Sequence, residues 1–174
     1  NIIGQKTEPI IRERHIIDSA QAIDLIDLND TICSDLGSGG GLPGIVLAIM
    51  IKNLNQPMKF KLYEKSHLKS IFLKNVSRKL NLNTEVIEGD IFERNNLRSE
   101  TVIGRAFKPL PVVLELMNKN FSKYKNLILF MGKNGKQTLN DAFKVWKFEY
   151  KEKMSLTSAD SFLISIKNIK KKFE

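Results

Sequence analysis

One stretch limits the folds open to this chain more than any other. It reads Asp35-Leu36-Gly37-Ser38-Gly39-Gly40-Gly41-Leu42-Pro43-Gly44, five glycines within eight residues. Glycine surrenders the most backbone freedom on folding, so such a run belongs where the chain turns through left-handed angles or comes close to something a side chain would block. A short apolar run, 32–36, precedes it and reads as a buried strand. Pro43 opens a helix reaching about residue 51, as Pro does at a first helical position. Strand, glycine loop and helix form one unit of a parallel sheet, and in such sheets ligands gather at the carboxyl ends of the strands.

The pattern repeats along the chain without any sequence repeat. Residues 8–28 predict a helix with Ile10, Ile11, Ile16, Ile17, Ile23 and Ile26 at mixed three and four spacing. Residues 59–63 alternate as a second strand ending at Glu64. Ser66 then caps a helix striped by Leu68, Phe72, Val76 and Leu80. Residues 84–88, 101–104 and 127–131 predict three further strands, with a helix over 110–118. Trp146, Phe148 and Tyr150 alternate with charged residues as a half-buried strand, and 162–166 closes the chain. The expected fold is α/β: a mostly parallel seven-stranded sheet with one antiparallel strand and helices on both faces. Residues 1–30 are expected as an N-terminal helical segment and 31–174 as the functional domain. The residues to weigh are those at the strand ends: the glycines, Glu64, Asp90 and Arg105.

Composition closes several alternatives. Of the 174 residues 42% are hydrophobic, enough for a core, yet the longest apolar run, 45–51, is too short to span a bilayer. The single cysteine, Cys33, excludes a disulfide scaffold and a multi-Cys zinc site, and two histidines, His15 and His67, make a His-built metal centre an unlikely design. No metal, no membrane and a cytoplasmic monomer are the expectations. The net charge of +9 is uneven: residues 1–87 carry 11 basic and 9 acidic residues, residues 88–174 carry 17 and 10. A basic second half suits a polyanionic partner, although Lys outnumbers Arg 22 to 6 and much of it can be solvated surface. Lys108, Lys133 and Lys136 stand in loops on the ligand side of such a sheet, whereas Lys170-Lys171-Lys172 reads as a solvated tail.

The loop admits more than one chemistry. It contains no Lys, so it is not the phosphate loop of an NTPase. A dinucleotide fingerprint fits only in a shifted frame, Gly39, Gly41 and Gly44. The frame acid-x-Gly-x-Gly-x-Gly fits at Asp35, Gly37, Gly39 and Gly41, the pattern of methyltransferases. S-adenosylmethionine carries cationic groups and no phosphate, so an acid at the strand end suits it. Glu64 is placed to take both ribose hydroxyls, and Asp90 to accept from the adenine amine. An NAD-dependent oxidoreductase and a non-enzymatic nucleotide- or RNA-binding scaffold stay open beside that reading.

The fourth strand narrows the reaction. Amine-directed nucleic-acid methyltransferases carry Asn/Asp-Pro-Pro-aromatic there, and this chain has Arg105-Ala106-Phe107-Lys108-Pro109. Carbon-5 pyrimidine methylation needs a thiolate, and Cys33 falls inside the first strand as a core residue. Guanine N7 carries a lone pair and no proton, so it requires positioning and exclusion of water but no base.

At this point three segments resemble one family. The run from Asp35 to Ile45 is similar to the signature of the bacterial 16S ribosomal RNA guanine-N7 methyltransferases, also called glucose-inhibited division protein B. Arg14-His15-Ile16-Ile17-Asp18-Ser19 resembles that family's R-H-hydrophobic-hydrophobic-D-S helix, and Arg105-Ala106-Phe107 its S-R-A-F. The resemblance implies a class I methyltransferase (Rossmann-like) fold, S-adenosyl-L-methionine as cofactor, and 16S ribosomal RNA or the small ribosomal subunit as partner. It implies methyl transfer to N7 of the guanine at position 527 of that RNA. By position, Gly37 and Leu42 would line the cofactor, Ile91 and Phe92 would flank its adenine, and Arg105 would face cofactor or substrate. The family's Ser-Arg-hydrophobic-Glu is replaced here by Gly89-Asp90-Ile91-Phe92, and its Lys-Gly by Met131-Gly132, with Lys133 standing in one position later. Asn1-Ile2-Ile3 resembles the family's Asn-Leu-Thr, which implies a helical region before it.

Overall fold

The strands explain the order of everything else. The computed structural model describes residues 12–173. In it, seven strands form one sheet: β1 (Ile32–Leu36), β2 (Lys59–Glu64), β3 (Thr84–Glu88), β4 (Thr101–Gly104), β5 (Asn126–Met131), β6 (Trp146–Met154) and β7 (Phe162–Lys171). Their order is β3-β2-β1-β4-β5-β7-β6. The first five pair in parallel, and β7 runs antiparallel to both of its neighbours. The seven-stranded α/β expectation is met, including the lone antiparallel strand. The order in which successive strands are laid across the sheet reverses between β1 and β4, the switch point at which open α/β sheets hold ligands.

Both faces of the sheet are covered, and β5, Asn-Leu-Ile-Leu-Phe-Met, reads accordingly as a nearly continuous apolar run. Successive residues point to opposite faces. Cys33, Phe60, Leu62, Ile103 and Ile128 pack under α1 (Gly44–Asn53) and α2 (His67–Lys79). Leu36, Val102, Leu127 and Leu129 pack under α3 (Leu110–Asn120) and α4 (Gly135–Val145). Cys33 is fully buried, as expected of a core residue, and burial pushes its thiol well above the ordinary range. The edge strand β6 buries Trp146 and Phe148 while Lys147 and Lys151 face water, charges that discourage edge-to-edge pairing. Among the described residues, no helix is long and apolar enough to cross a membrane.

Most departures from expectation are helical. The helix expected over 8–28 begins outside the described residues, as do the Asn1-Ile2-Ile3 segment and the Arg14 side chain. Its described part changes pitch from a π-helical stretch, Arg12–Ile17, to a tighter 3-10 turn, Gln21–Leu25. Ile16 and Ile17 are exposed there, and Ser19, Gln21 and Ala22 are buried instead. On α2 the expected stripe is also rotated: Leu68 is 78% exposed, Leu73 is fully buried, and Ser70 and Ser77 let the helix lie close on the sheet. Ser66 stands at the cap position with no side-chain cap bond. Residues 135–145, where a loop through Lys136 is expected, form α4. Lys170 and Lys171 belong to β7, and Lys171 pairs with Glu115 at 3.3 Å, so that segment is not a free tail.

The register of α2 is directly testable. Leu73→Ala should cost about 2–5 kcal/mol by urea denaturation, whereas Leu68→Ala should stay within about 0.5 kcal/mol. Equal losses would restore the stripe through Leu68.

Candidate functional site

The glycine loop leaves β1 and is fixed by acceptors from below and beside it. Gly37 turns at φ +65°, in the left-handed region, and a Cβ there would come within 2.4 Å of the Phe107 ring. Ser38 N–H donates to the Tyr63 carbonyl at 2.8 Å, clipping the loop to the end of β2. Gly39 N–H donates to Glu64 Oε2 at 2.8 Å, and Ser66 N–H to Glu64 Oε1 at 2.8 Å. One buried carboxylate therefore ties the loop after β1 to the entry of α2. Gly41 serves a packing need, because a Cβ there would meet Ile45 at 2.5 Å.

Asp35 lies beneath the loop and is 1% exposed. It shares strand parity with Cys33, so it points at α1, where Oδ2 accepts from Gly44 N–H at 3.1 Å. Its Oδ1 is buried with no hydrogen-bond partner. Burial, with the Glu64 charge adding to it, pushes the Asp35 carboxyl up to about 7, against the pull of the Gly44 bond.

These bonds decide between the two glycine-loop frames. A dinucleotide site needs free amides at the helix N-terminus for its pyrophosphate. Here Gly39 N–H is given to Glu64, Gly41 N–H to the Ser38 carbonyl, Gly44 N–H to Asp35 and Ile45 N–H to the Gly41 carbonyl. These four amides are engaged by the protein itself and are not offered to a pyrophosphate.

Above the loop a cavity opens at the ends of β1, β2 and β3. Gly37, Glu64, Asp90, Ile91 and Phe92, all weighed from sequence, line it together. Asp90 Oδ1 accepts from Phe92 N–H at 3.0 Å, starting the short turn Ile91–Glu93 and leaving Oδ2 for a ligand. Each Glu64 oxygen has spent one lone pair on a backbone amide and keeps another. The Phe92 ring lies parallel to Phe107, centroids 6.0 Å apart. Two carboxylate acceptors, the Ile91 and Phe92 side chains and a backbone floor suit an adenosine, and this set fits S-adenosylmethionine. Asp35, Gly39, Gly41 and Leu42 do not line the cavity; they build the loop that floors it. Tyr63, Lys65, Lys69, Ala106 and Phe107 line it and were not anticipated. Of these, Phe107 carried a signal, since it follows the fourth strand directly.

Arg105 turns away from this cavity. Its Nε lies 2.9 Å from Asp18 Oδ2, and its Nη1 lies 3.5 Å from His15 Nδ1. It lines a neighbouring polar cavity with Asp18, Ser155 and Thr157. Lys133 is exposed and follows Gly132, which lines that cavity, and Lys136 pairs with Glu152.

Known proteins place this geometry. A family described as rRNA small subunit methyltransferase G matches residues 1–164. The Pelagibacter ubique protein named ribosomal RNA small subunit methyltransferase G is 57% identical, over 99% of this chain and 82% of that protein. The Dinoroseobacter shibae protein of the same name is 32% identical, over 95% and 85%. Among solved structures, an Aquifex aeolicus SAM-dependent methyltransferase superposes with TM-score 0.67 at 13% identity, over 93% of this chain and 94% of that one. M. capricolum TrmK with S-adenosylhomocysteine gives TM-score 0.62 at 15% identity, over 97% and 69%.

The buried Asp35 has a pH signature. It binds its proton near pH 7 when folded and near 3.8 in its ordinary state. Between those values the folded chain holds the extra proton, so this stabilising contribution is full below about pH 4 and is lost as pH rises to about 7, by up to about 1.4 kcal/mol per pH unit. In Asp35→Asn that slope should vanish. The stability difference, variant minus wild type, should therefore grow from pH 4 to 7 in urea titrations, and a flat difference would mean that the carboxyl titrates normally.

Proposed function

The chain belongs to the rRNA small subunit methyltransferase G family, and from that premise we propose how its site works and on which atom it acts. It is an S-adenosylmethionine-dependent methyltransferase of ribosomal RNA. The target we assign is N7 of the guanine at position 527 in 16S ribosomal RNA, presented by that RNA or by the small subunit that contains it. When bound, S-adenosylmethionine supplies an electrophilic methyl group on a sulfonium sulfur. Gly37 would floor its site, Glu64 would take the ribose hydroxyls, Asp90 the adenine amine, and Ile91 with Phe92 the faces of the adenine.

One observation carries the choice of atom: the Arg105-Ala106-Phe107 turn at the end of β4 offers neither a nucleophile nor a base. Cys33 lies three residues before Leu36 on β1, paired across the sheet with Phe60 and Thr101, and fully buried. The nearby carboxylates Asp18 and Glu64 are engaged by Arg105 and by loop amides. Guanine N7 asks for neither group. Its lone pair forms the new N–C bond while the electron pair of the breaking S–C bond stays on sulfur, and no proton moves. The chain's task is then to orient the base and exclude water, effects that reach many orders of magnitude when reacting atoms are held in line.

Mapping methylated positions in 16S RNA after disruption of this gene, and after incubation of that RNA with the purified chain, tests the assignment. N7-methylguanine should disappear in the first case and return in the second. Cys33→Ser should keep transfer within a few-fold. A folded, cofactor-binding Cys33→Ser chain without activity would argue for pyrimidine carbon chemistry.

RNA docking adds a second expectation. Lys65, Lys69 and Lys108 line the cofactor cavity, Lys133 follows Gly132 of the polar one, and none of the four has an ion-pair partner among the described residues. Lys133→Ala should flatten the log–log salt dependence of RNA binding by a little under one unit. Lys136→Ala, already paired with Glu152, should change it little. The reverse order would put the RNA on another face.

A further inference from the structure

Three cavities meet at Ala106. One is the cofactor cavity. A second is walled by hydrocarbon, from Gly104, Pro109, Leu110, Val113 and Leu129. The third, about 320 Å³, lies between the N-terminal helical segment and the 155–161 loop. We propose that this third cavity seats the target guanine once the base has left the RNA stack, with Arg105, Ser158 and Ser161 as its polar contacts and Asp18 as the residue that positions them. The proposal rests on the guanine reading above.

The turn itself separates the two partners. Ala106 sits at φ 51°, a conformation L-residues with a side chain seldom adopt. The bend sends Arg105 into the third cavity and Phe107 towards Gly37 in the first. Ala106 is the residue that the linings of these two cavities share. A base in one and a methyl donor in the other are thus neighbours, as in-line transfer requires.

Chemistry decides between the second and third cavities. Guanine presents the O6 acceptor and the N1 and N2 donors. Burying such groups without partners costs about 2–7 kcal/mol each on transfer to an apolar medium, and the second cavity offers Lys108 alone among charged or hydroxyl side chains. The third offers a guanidinium, a carboxylate and four Ser/Thr hydroxyls. Ser161 donates to Ser158 at 3.2 Å, which leaves the Ser158 proton for a ligand. Phe130 and Phe162 line the same space, and the Arg105 guanidinium lies 5.9 Å from the Phe130 ring centre. Flat aromatic and guanidinium surfaces beside polar contacts are how enzymes hold an extruded base.

The walls are prearranged. Asp18 holds Arg105 through Oδ2, and through Oδ1 it accepts from Thr157 Oγ1 at 2.9 Å and Gln21 Nε2 at 2.8 Å. Gln21 Oε1 accepts from Leu156 N–H at 2.9 Å. Asp18 and Gln21 together fasten the helical segment to the 155–161 loop, so both sides of the cavity keep their spacing before RNA arrives.

The test fills the cavity without touching the cofactor site. In Ser158→Trp and Ser161→Tyr, S-adenosylhomocysteine affinity by calorimetry should stay within about threefold and RNA affinity likewise, while single-turnover methyl transfer to 16S RNA should fall by about 100-fold or more. Ala159→Trp, exposed on the same loop and outside the cavity, should transfer normally. Wild-type turnover from Ser158→Trp overturns the seat but leaves the reaction standing, whereas no transfer by the wild type defeats the reaction itself. Should the bulky variants not fold, 6-thioguanine at the target position, photocrosslinked to the wild-type chain, decides the matter. A crosslink on 155–162 supports the seat, and one on 110–113 moves the base to the apolar cavity.

Discussion

A loop built of glycines has no side chains with which to hold itself, so two buried carboxylates hold it. Glu64 takes the Gly39 and Ser66 amides, and Asp35 takes the Gly44 amide from below. A buried carboxylate is costly unless its lone pairs meet donors, and a turn of orphan amides at a helix entry is costly unless they meet acceptors. Each problem is solved by the other. The remaining lone pairs of Glu64 then face the cofactor cavity because its first ones are anchored to the floor. Removing Glu64 would therefore loosen the loop as well as delete a ligand contact, and the two effects cannot be separated by truncation alone.

The strands were legible in the sequence because short apolar or alternating runs end abruptly at Leu36, Glu64, Glu88 and Gly104. The strand-end acids were legible for the same reason. Their directions were not. Asp35 and Glu64 both end strands, yet only strand parity and the path of α1 send Asp35 under the loop and Glu64 to its rim. The helices were less legible still. Leu68, Phe72, Val76 and Leu80 form a valid stripe, but Leu73 with Ser70 and Ser77 forms another, and the choice was made by how closely α2 approaches the sheet. Ser70 donates to the Glu64 carbonyl at 3.3 Å, a contact a larger residue would prevent. The N-terminal segment misled only in part: Ile26 is buried and Ile23 packs against the core, but Ile16 and Ile17 are exposed while Ser19 and Gln21 are buried. Gln21 is kept inside by the 155–161 loop, more than a hundred residues away in sequence.

That long-range fastening also explains why Arg105, expected to face either cofactor or substrate, does not line the cofactor cavity. Read along the chain, it follows β4 and belongs with the cofactor. In space, Asp18 draws it to the opposite side of Ala106. The pairing is half-buried on both sides, with side chains 20% and 16% exposed, and breaking one partner of such a pair costs more than the pair contributes.

The ion pair also bears on the reaction. Transfer to N7 moves one positive charge, from the cofactor sulfur to the ring of the base. On the side where that charge starts, Glu64 and Asp90 supply the carboxylates. On the side where it arrives stands Arg105. An unpaired guanidinium about 4 Å from the forming cation would oppose it by about 4 kcal/mol at an effective dielectric of about 20, several powers of ten in rate. Asp18 at 2.9 Å offsets that field. An Arg105 held by Asp18 can hydrogen-bond an acceptor on the base without resisting the charge the base acquires, which a lone arginine in the same cavity could not do.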